Sequence, residues 1–428
     1  MKSSIHSLCF FIALFLCSQS NAQETFNKRL HFELPISILT SVEVTDSCYY
    51  VTGVAVDSTP PYRDGILFSK ISLEGDLLLS KLFTKPYHIY ESWGSSLYPT
   101  EDNHFMVSSW VADTISPGFA LIKFTPEGDT VFTRKYEHPF FPQTNFIIQN
   151  DLEKLHQNYY LIGNVDKPSS PLRNDFYLIK TDSLGNKVWN QLYGSNEWTE
   201  SGMSLCVHEN NIILGGYFTN RNFVNSDFVA RAYLIGIDTA GTVQWEYLTP
   251  EGELFYRAWD VIPAIDGGYI IASGKGVEVP TANMNSAFLT WDNYIFKISL
   301  DQEFEWGVSL RDSLPNGSNQ LRKLIAVSDQ SGYISVGGMF KYHTAPEVVN
   351  YYGTISKISL TGDSLWARYL HFIETQSEQH FLYDVEETPD GGFIMVGEAT
   401  DLQNDPPNPP NQQGWLLKVD EHGCLVPG

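Results

Sequence analysis

Asp175–Tyr193 reads DFYLIKTDSLGNKVWNQLY, two aromatic-rich runs on either side of a tight turn. The run YLIK alternates as a half-buried strand does. TDSLGN places Asp early and Gly late, the pattern of a turn that ends on a positive φ. Trp189 then stands at a fixed offset on the returning strand. Related segments start at Gly65 (GILFSKISLEGDLLLSKLF), Gly118 (GFALIKFTPEGDTVFTRKY) and Ala232 (AYLIGIDTAGTVQWEYL). Three more start at Asn293 (NYIFKISLDQEFEWGVSL), Tyr352 (YGTISKISLTGDSLWARYL) and Gly414 (GWLLKVDEHGCLVPG).

Aligned on the turn, six of the seven copies carry Gly, and Gln302 replaces it in the fifth. Four residues on stands a large side chain: Leu79, Phe132, Trp189, Trp245, Trp306 and Trp366, with Pro427 in the seventh copy. A period of 53 to 61 residues held this way marks one repeated supersecondary unit. A fixed Trp in such a unit most simply wedges between neighbouring sheets. Between copies lies a second hairpin, clearest in DVIPAIDGGYIIASG (Asp260–Gly274) and DVEETPDGGFIMVG (Asp384–Gly397). Each unit therefore has four strands in meander order. The whole is predicted to be an all-β, seven-bladed β-propeller of four-stranded antiparallel blades.

A ring of blades must join its last to its first or leave two sheet edges open. The seventh copy stops where its fourth strand should run. TFNKRLHFELP, near the start, has the alternation of a Trp strand without the Trp. The expectation is that Phe26 to Leu34 supplies the outer strand of the last blade. Closure of that kind brings Cys48 and Cys424 to one face of adjacent blades, which makes them the disulfide candidate in an oxidising compartment.

Residues 1–22 differ in kind from the rest. Lys2 precedes the apolar run LCFFIALFLC, and SNA at Ser20–Ala22 offers small residues at the cleavage positions. Ten apolar residues are too few to span a bilayer, so this reads as a secretory signal cut after Ala22. Residues 23–428 then form a single propeller domain, secreted, periplasmic or at the cell surface. No later apolar run is long enough to cross a membrane. The chain carries 27 basic and 50 acidic residues, formally −23, and loss of Lys2 makes it one unit more negative. Such a field repels polyphosphate, so nucleic acid is not an expected partner. Cys48, Cys206 and Cys424 have no spacing for zinc, and no metal is expected.

The KTDSLGNKVW and GIDTAGTVQW copies resemble the Trp-docking repeats of quinoprotein-like (PQQ-like) propellers. The unit W…DGGYIIAG…YLIKTDxxG is similar to a family of exported repeat proteins that commonly carry a type IX secretion sorting domain after the propeller. The resemblance covers nearly all of the chain past the leader and implies fold and export rather than an activity. The chain departs from the family pattern by ending at GCLVPG, about where a sorting domain would begin. Quinone-dependent dehydrogenases typically have eight blades, a calcium ion and adjacent cysteines. Seven copies and dispersed cysteines argue against that chemistry, and no cofactor is expected.

In a meander, the DGG and SLG turns share one face and the long connections share the other, where binding residues usually lie. Segments entering each inner strand on that face aim at the central funnel. They bring Trp93, Trp198, Glu200, Tyr256, Arg257, Trp259, Asp260, Arg322, His380, Tyr383 and Asp384 toward one mouth. Aromatics mixed with acids and arginines suit a sugar or peptide, so the expected ligand is a glycan or protein bound by a monomer without catalysis. The alternative is a cofactor-free carbohydrate-active hydrolase or lyase using Asp260, Asp384, Glu200 and His380. No nucleophile elbow, phosphate-binding loop or His-Glu-x-x-His motif is present.

Overall fold

The computed structural model describes residues 23–426 except 93, 95–96, 144–146, 169, 196–197, 220–229, 251–255, 280–287, 311–316, 345–346, 373–377 and 402–411. The signal peptide expected at residues 1–22 lies outside the described residues. The described secondary structure contains no helix. Seven antiparallel sheets follow one another around a ring, each a four-stranded meander running from the channel outward. Blade 3 shows the pattern: Ile147–Leu155, Asn158–Lys167, Ser170–Asp182 and Lys187–Tyr193. In blade 2 the innermost position is shared by two short pieces, Ile89–Glu91 and Leu97–Pro99, both paired to Phe105–Ala112.

The repeat turns take the conformation their residues imply. Gly75, Gly128, Gly185, Gly241, Gly362 and Gly423 have φ between 73° and 87°, and Gln302 adopts 61° in the fifth copy. These turn residues also have a packing role. A side chain on Gly362 would meet Trp306 of the preceding blade, and one on Gly423 would meet Trp366. Phe132 lies likewise against Gly185, so in these copies the outer-strand aromatic docks on the next blade's turn, which explains why Gly and a large ring recur together. The apolar residues accordingly form seven clusters, each shared between adjacent blades, including blade 7 with blade 1. One blade by itself would leave both of these faces in water.

Closure follows the sequence expectation, except that the strand ends at Leu30 rather than Leu34. Phe26–Leu30 pairs antiparallel with Gln413–Val419 as the outer strand of blade 7. Its register sets Phe26 opposite Lys418, as Trp189 faces Lys180 and Trp366 faces Lys357. Phe26 therefore fills the Trp position of the seventh copy, and its ring lies where a Gly75 side chain would go. Asn27 adds polar ties, accepting from Trp415 Nε1–H at 2.6 Å and donating to the His371 carbonyl at 2.8 Å.

The candidate disulfide is not formed. Cys48, Cys206 and Cys424 are free thiols. Cys48 is buried in the cluster between blades 1 and 2. Cys424 lies on the other side of its blade, its Sγ 4.0 Å from Arg368 of blade 6. Closure brings the two blades together but points the two thiols in opposite directions around the ring.

Candidate functional site: the channel and its mouth

Six of the seven innermost strands carry a bulge at the same place. The register shifts between Leu39 and Ser41, Gln149 and Asp151, Gly202 and Ser204, Ala258 and Asp260, Leu321 and Lys323, and Leu382 and Asp384. The extra residue in each is Thr40, Asn150, Met203, Trp259, Arg322 or Tyr383. A bulge frees a residue from the ladder and re-aims its neighbours. All of these bulge residues but Thr40 line a small cavity of about 70 Å³ on the long-connection side of the channel.

The mouth is an arc of alternating rings and guanidiniums. Arg257 lies 4.9 Å from the Tyr217 ring centre and 5.6 Å from Trp259. Arg322 lies 4.9 Å from Trp259, 5.2 Å from Phe381 and 5.9 Å from Tyr383. Such contacts pre-order long cationic side chains that water would otherwise leave mobile. The Tyr383 hydroxyl donates to Glu398 at 3.4 Å, and the Gln412 side-chain amide also donates to that carboxylate. Burial pushes Glu398 up to about 7 despite these donors and Arg322. Burial, then the Glu398 carboxylate, holds the Tyr383 phenol well above its ordinary range.

Just beyond the bulges sit the acids. Asp260 accepts from Val261 N–H at 3.0 Å and from Leu324 N–H of blade 6 at 2.7 Å. Asp384 accepts from Val385 N–H, and from Ser41 Oγ–H and Val42 N–H of blade 1, each at 3.0 Å. Asp151 accepts from Leu152 N–H and from Leu205 N–H of blade 4, both at 2.8 Å. In blades 3, 5 and 7 the same aspartate thus staples its own strand to the next blade. Lys323 lies among them, 3.9 Å from Asp260. Burial alone would lower its ammonium, but Asp260, Asp151, Asp384 and Glu153 outweigh burial and raise it. Burial raises all three aspartates, with Lys323 opposing.

Toward the tight-turn face the channel widens into a chamber of about 260 Å³. Glu43, Glu153 and Glu386, two residues past Ser41, Asp151 and Asp384, line it with Tyr98. Burial pushes Glu43 and Glu153 up to about 7. It takes Glu386 to about 8, with Asp384 and Glu43 adding to the shift. These glutamates are absent from the sequence-derived candidates. Their signal is readable in SVEV, DLEK and DVEE once the inner strands are aligned on the bulge.

Of the predicted mouth residues, the structure gathers Arg257, Trp259, Asp260, Arg322, Tyr383 and Asp384 along the channel. Three others lie elsewhere. Trp198 packs on Phe218 with ring centres 4.6 Å apart. Glu200 is buried and accepts from the Ser195 N–H at 2.9 Å and its hydroxyl at 2.7 Å. His380 is buried on the face packed toward blade 6, its ring 5.1 Å from Trp415. It accepts from Phe372 N–H at 3.1 Å, faces the Tyr351 carbonyl at 3.2 Å, and is pushed down to about 4 by burial. Trp93 and the Tyr256 side chain lie outside the described residues. Among the described residues no group of three or more His, Cys, Asp or Glu is arranged to hold a metal ion.

No family model and no curated protein matches the chain. Solved structures similar in fold include a polysaccharide lyase, an ulvan lyase bound to -[GlcA(1-4)Rha3S]-. It is 9% identical with a TM-score of 0.54, over 93% of this chain and 97% of that one. A protein of unknown function from Dyadobacter fermentans is 10% identical, TM-score 0.49, over 76% of this chain and 93% of that one. A lignostilbene dioxygenase from Pseudomonas brassicacearum is 11% identical, TM-score 0.47, over 80% and 74%. The class that fold and channel define is a seven-bladed β-propeller with a lined axial channel. Among the described residues no helix is long and apolar enough to cross a membrane.

Proposed function

We propose that this is an exported, monomeric propeller of the quinoprotein-like repeat type that binds a glycan at the channel mouth without cleaving it. The carrying observation is the arc of Tyr217, Arg257, Trp259, Arg322 and Tyr383. It offers rigid rings and ordered cations, of which Trp259, Arg322 and Tyr383 line the small cavity at the channel mouth. The residues once eligible for acid–base work support binding rather than turnover. Asp260 and Asp384 spend carboxylate oxygens on blade-to-blade staples, and His380 is neutral and buried away from the channel. The ulvan lyase, whose likeness is one of fold, supports a ring of this shape accommodating a saccharide.

A second reading rests on one pair. Glu398, titrating near 7 beside the Tyr383 hydroxyl at the mouth, suits proton transfer in a lyase or hydrolase. Native affinity gels containing neutral, uronate or sulfated polysaccharides separate the two, run beside a reducing-end and unsaturated-product assay. Retardation of the wild-type protein by at least one polysaccharide, lost in Trp259→Ala, with no product formed, supports binding. Product formation lost in Glu398→Gln establishes the second reading. No retardation by any polysaccharide, with no product formed, contradicts both.

A further inference from the structure

The chain carries 50 acidic residues against 27 basic, and covered lysines have taken partners from that surplus. Lys297 lies 2.7 Å from Asp266 and 2.8 Å from Glu305, and Lys418 lies 2.6 Å from Asp390. Lys323 has Asp260, Asp151 and Asp384 around it. Arg322, one residue earlier, forms no ion pair among the described residues. Its one hydrogen bond is long, 3.4 Å from Nη2–H to the Gln320 side-chain oxygen, and its buried Nε–H has no acceptor. Unmet donors on a covered guanidinium are destabilising, so their presence calls for a reason.

Stability does not supply one. Trp259 holds two guanidiniums, Arg322 at 4.9 Å from the ring centre and Arg257 at 5.6 Å. Stacking offsets part of the cost of burial, yet like charges gathered on one ring repel. Burial disfavours the charged form of Arg322 and Arg257 adds to this, while Tyr383 and Glu398 oppose. Glu398 gives limited relief. Tyr383 and Gln412 already donate to it, and burial pushes it up to about 7, so it is partly protonated at neutral pH.

The cavity indicates what would complete the site. Arg322, Trp259 and Tyr383 line a space of about 70 Å³, far below the ~300 Å³ at which small-molecule sites begin. A sugar ring is too large for it, whereas one carboxylate or sulfate group fits. Asp151 and Asp260 also border the cavity, but each is held by two backbone N–H groups and offset by Lys323. Arg322 is the charge left uncommitted. Its planar fork suits a flat or tetrahedral anion through paired hydrogen bonds.

We propose that the mouth selects an acidic saccharide, its ring against the aromatic arc and its carboxylate or sulfate directed onto Arg322, with Arg257 alongside. This rests on the glycan reading of the mouth and names the substituent which that reading leaves open. A chain of formal charge −23 repels polyanions in general, so a preference for an acidic polymer has to come from a local site.

The test runs full-length protein in native affinity gels with two matched pairs, dextran against dextran sulfate and methyl-esterified against free polygalacturonate. Wild type should be retarded roughly tenfold more strongly by the charged member of a pair than by its neutral partner. The pair that responds tells sulfate from carboxylate. Arg322→Gln should erase the preference, and Arg322→Lys should keep it at weaker affinity, as a charge without the fork. Equal or stronger retardation by the neutral members overturns the acidic assignment, and its loss in Trp259→Ala would leave the glycan reading standing. A preference undiminished in Arg322→Gln also overturns the assignment, because the anion then binds elsewhere. If Arg322→Gln melts well below wild type, Arg322→Lys decides: severalfold weaker retardation by the charged member supports the proposal, and undiminished retardation overturns it. Retardation by no member of either pair overturns this inference together with the glycan reading.

Discussion

On the long-connection side of Lys323 the channel wall is Arg257, Trp259, Arg322 and Tyr383; on the tight-turn side it is Glu43, Glu153 and Glu386. Both regions come from the same inner strands, only a few residues apart, and both border Asp151 and Lys323. What separates them is the bulge. At it, the extra side chain turns toward the mouth and can be large. After it, the regular ladder resumes and presents every second residue to the channel. The mouth has its cations pre-ordered on aromatic faces, whereas the far chamber holds carboxylates that burial makes resist ionisation. One region orders its cations on aromatic rings, and the other holds buried acids, with Lys323 opposing the shift of Glu153 and Glu386.

The strongest way to break this contrast is to remove that balance. Lys323→Met leaves buried aspartates without their counter-ion, and loss of one partner from a buried ion cluster costs about 3 kcal/mol. Urea unfolding at pH 7.5 should show a loss of that order, and much of it should return at pH 5 as the carboxylates protonate. A stability unchanged at pH 7.5 would remove Lys323 from its assigned role. Asp384→Asn should cost about 2 kcal/mol by weakening the charge-assisted bonds to Ser41 and Val42 across the ring junction. Asp260→Asn, at a junction inside the chain, is the matched control.

The next effect is in the pH profile. Glu43 and Glu153 titrate at about 7 and Glu386 at about 8 in the folded chain, against an ordinary value of 4.5. Raised acids bind protons more tightly folded than unfolded, so their contribution is favourable below about 4.5 and lost as pH rises toward 8. Melting temperature should therefore fall by a few degrees between pH 5.5 and 8. Glu386→Gln should flatten that slope, and an unchanged slope would count against the buried glutamates. The smallest stability effect belongs to the mouth. Trp259→Ala removes two cation–π contacts from a half-buried ring and should cost about 1 kcal/mol, while weakening glycan binding at least tenfold. Calorimetric titration and thermal melts of the same samples measure both.

The ring was legible in the sequence because each copy carries its own instructions. Gly75 or Gly362 demands the turn, Trp306 or Trp366 demands a neighbour, and the missing seventh outer strand points to Phe26. Even Gln302, a departure in residue type, keeps the turn conformation. The channel was less legible because a bulge inserts one residue into a period of two and leaves no mark in composition. His380 falls before the bulge and packs on Trp415; Tyr383 is the bulge itself and reaches the mouth; Asp384 follows it and staples blade 1. Spacing within QHFLYD gives no means to tell these fates apart. Cys48 and Cys424 fail for a related reason: adjacency of blades says nothing about which side of each sheet a thiol faces.

Hydrogen–deuterium exchange with and without a polysaccharide that retards the protein tests the contrast between the two ends most directly. Protection concentrated at residues 257–259, 320–322 and 381–383, with 43, 153 and 386 unaffected, is the predicted result. Protection confined to the tight-turn end, or none along the inner strands, would contradict a ligand site built on the Arg257–Trp259–Arg322–Tyr383 arc.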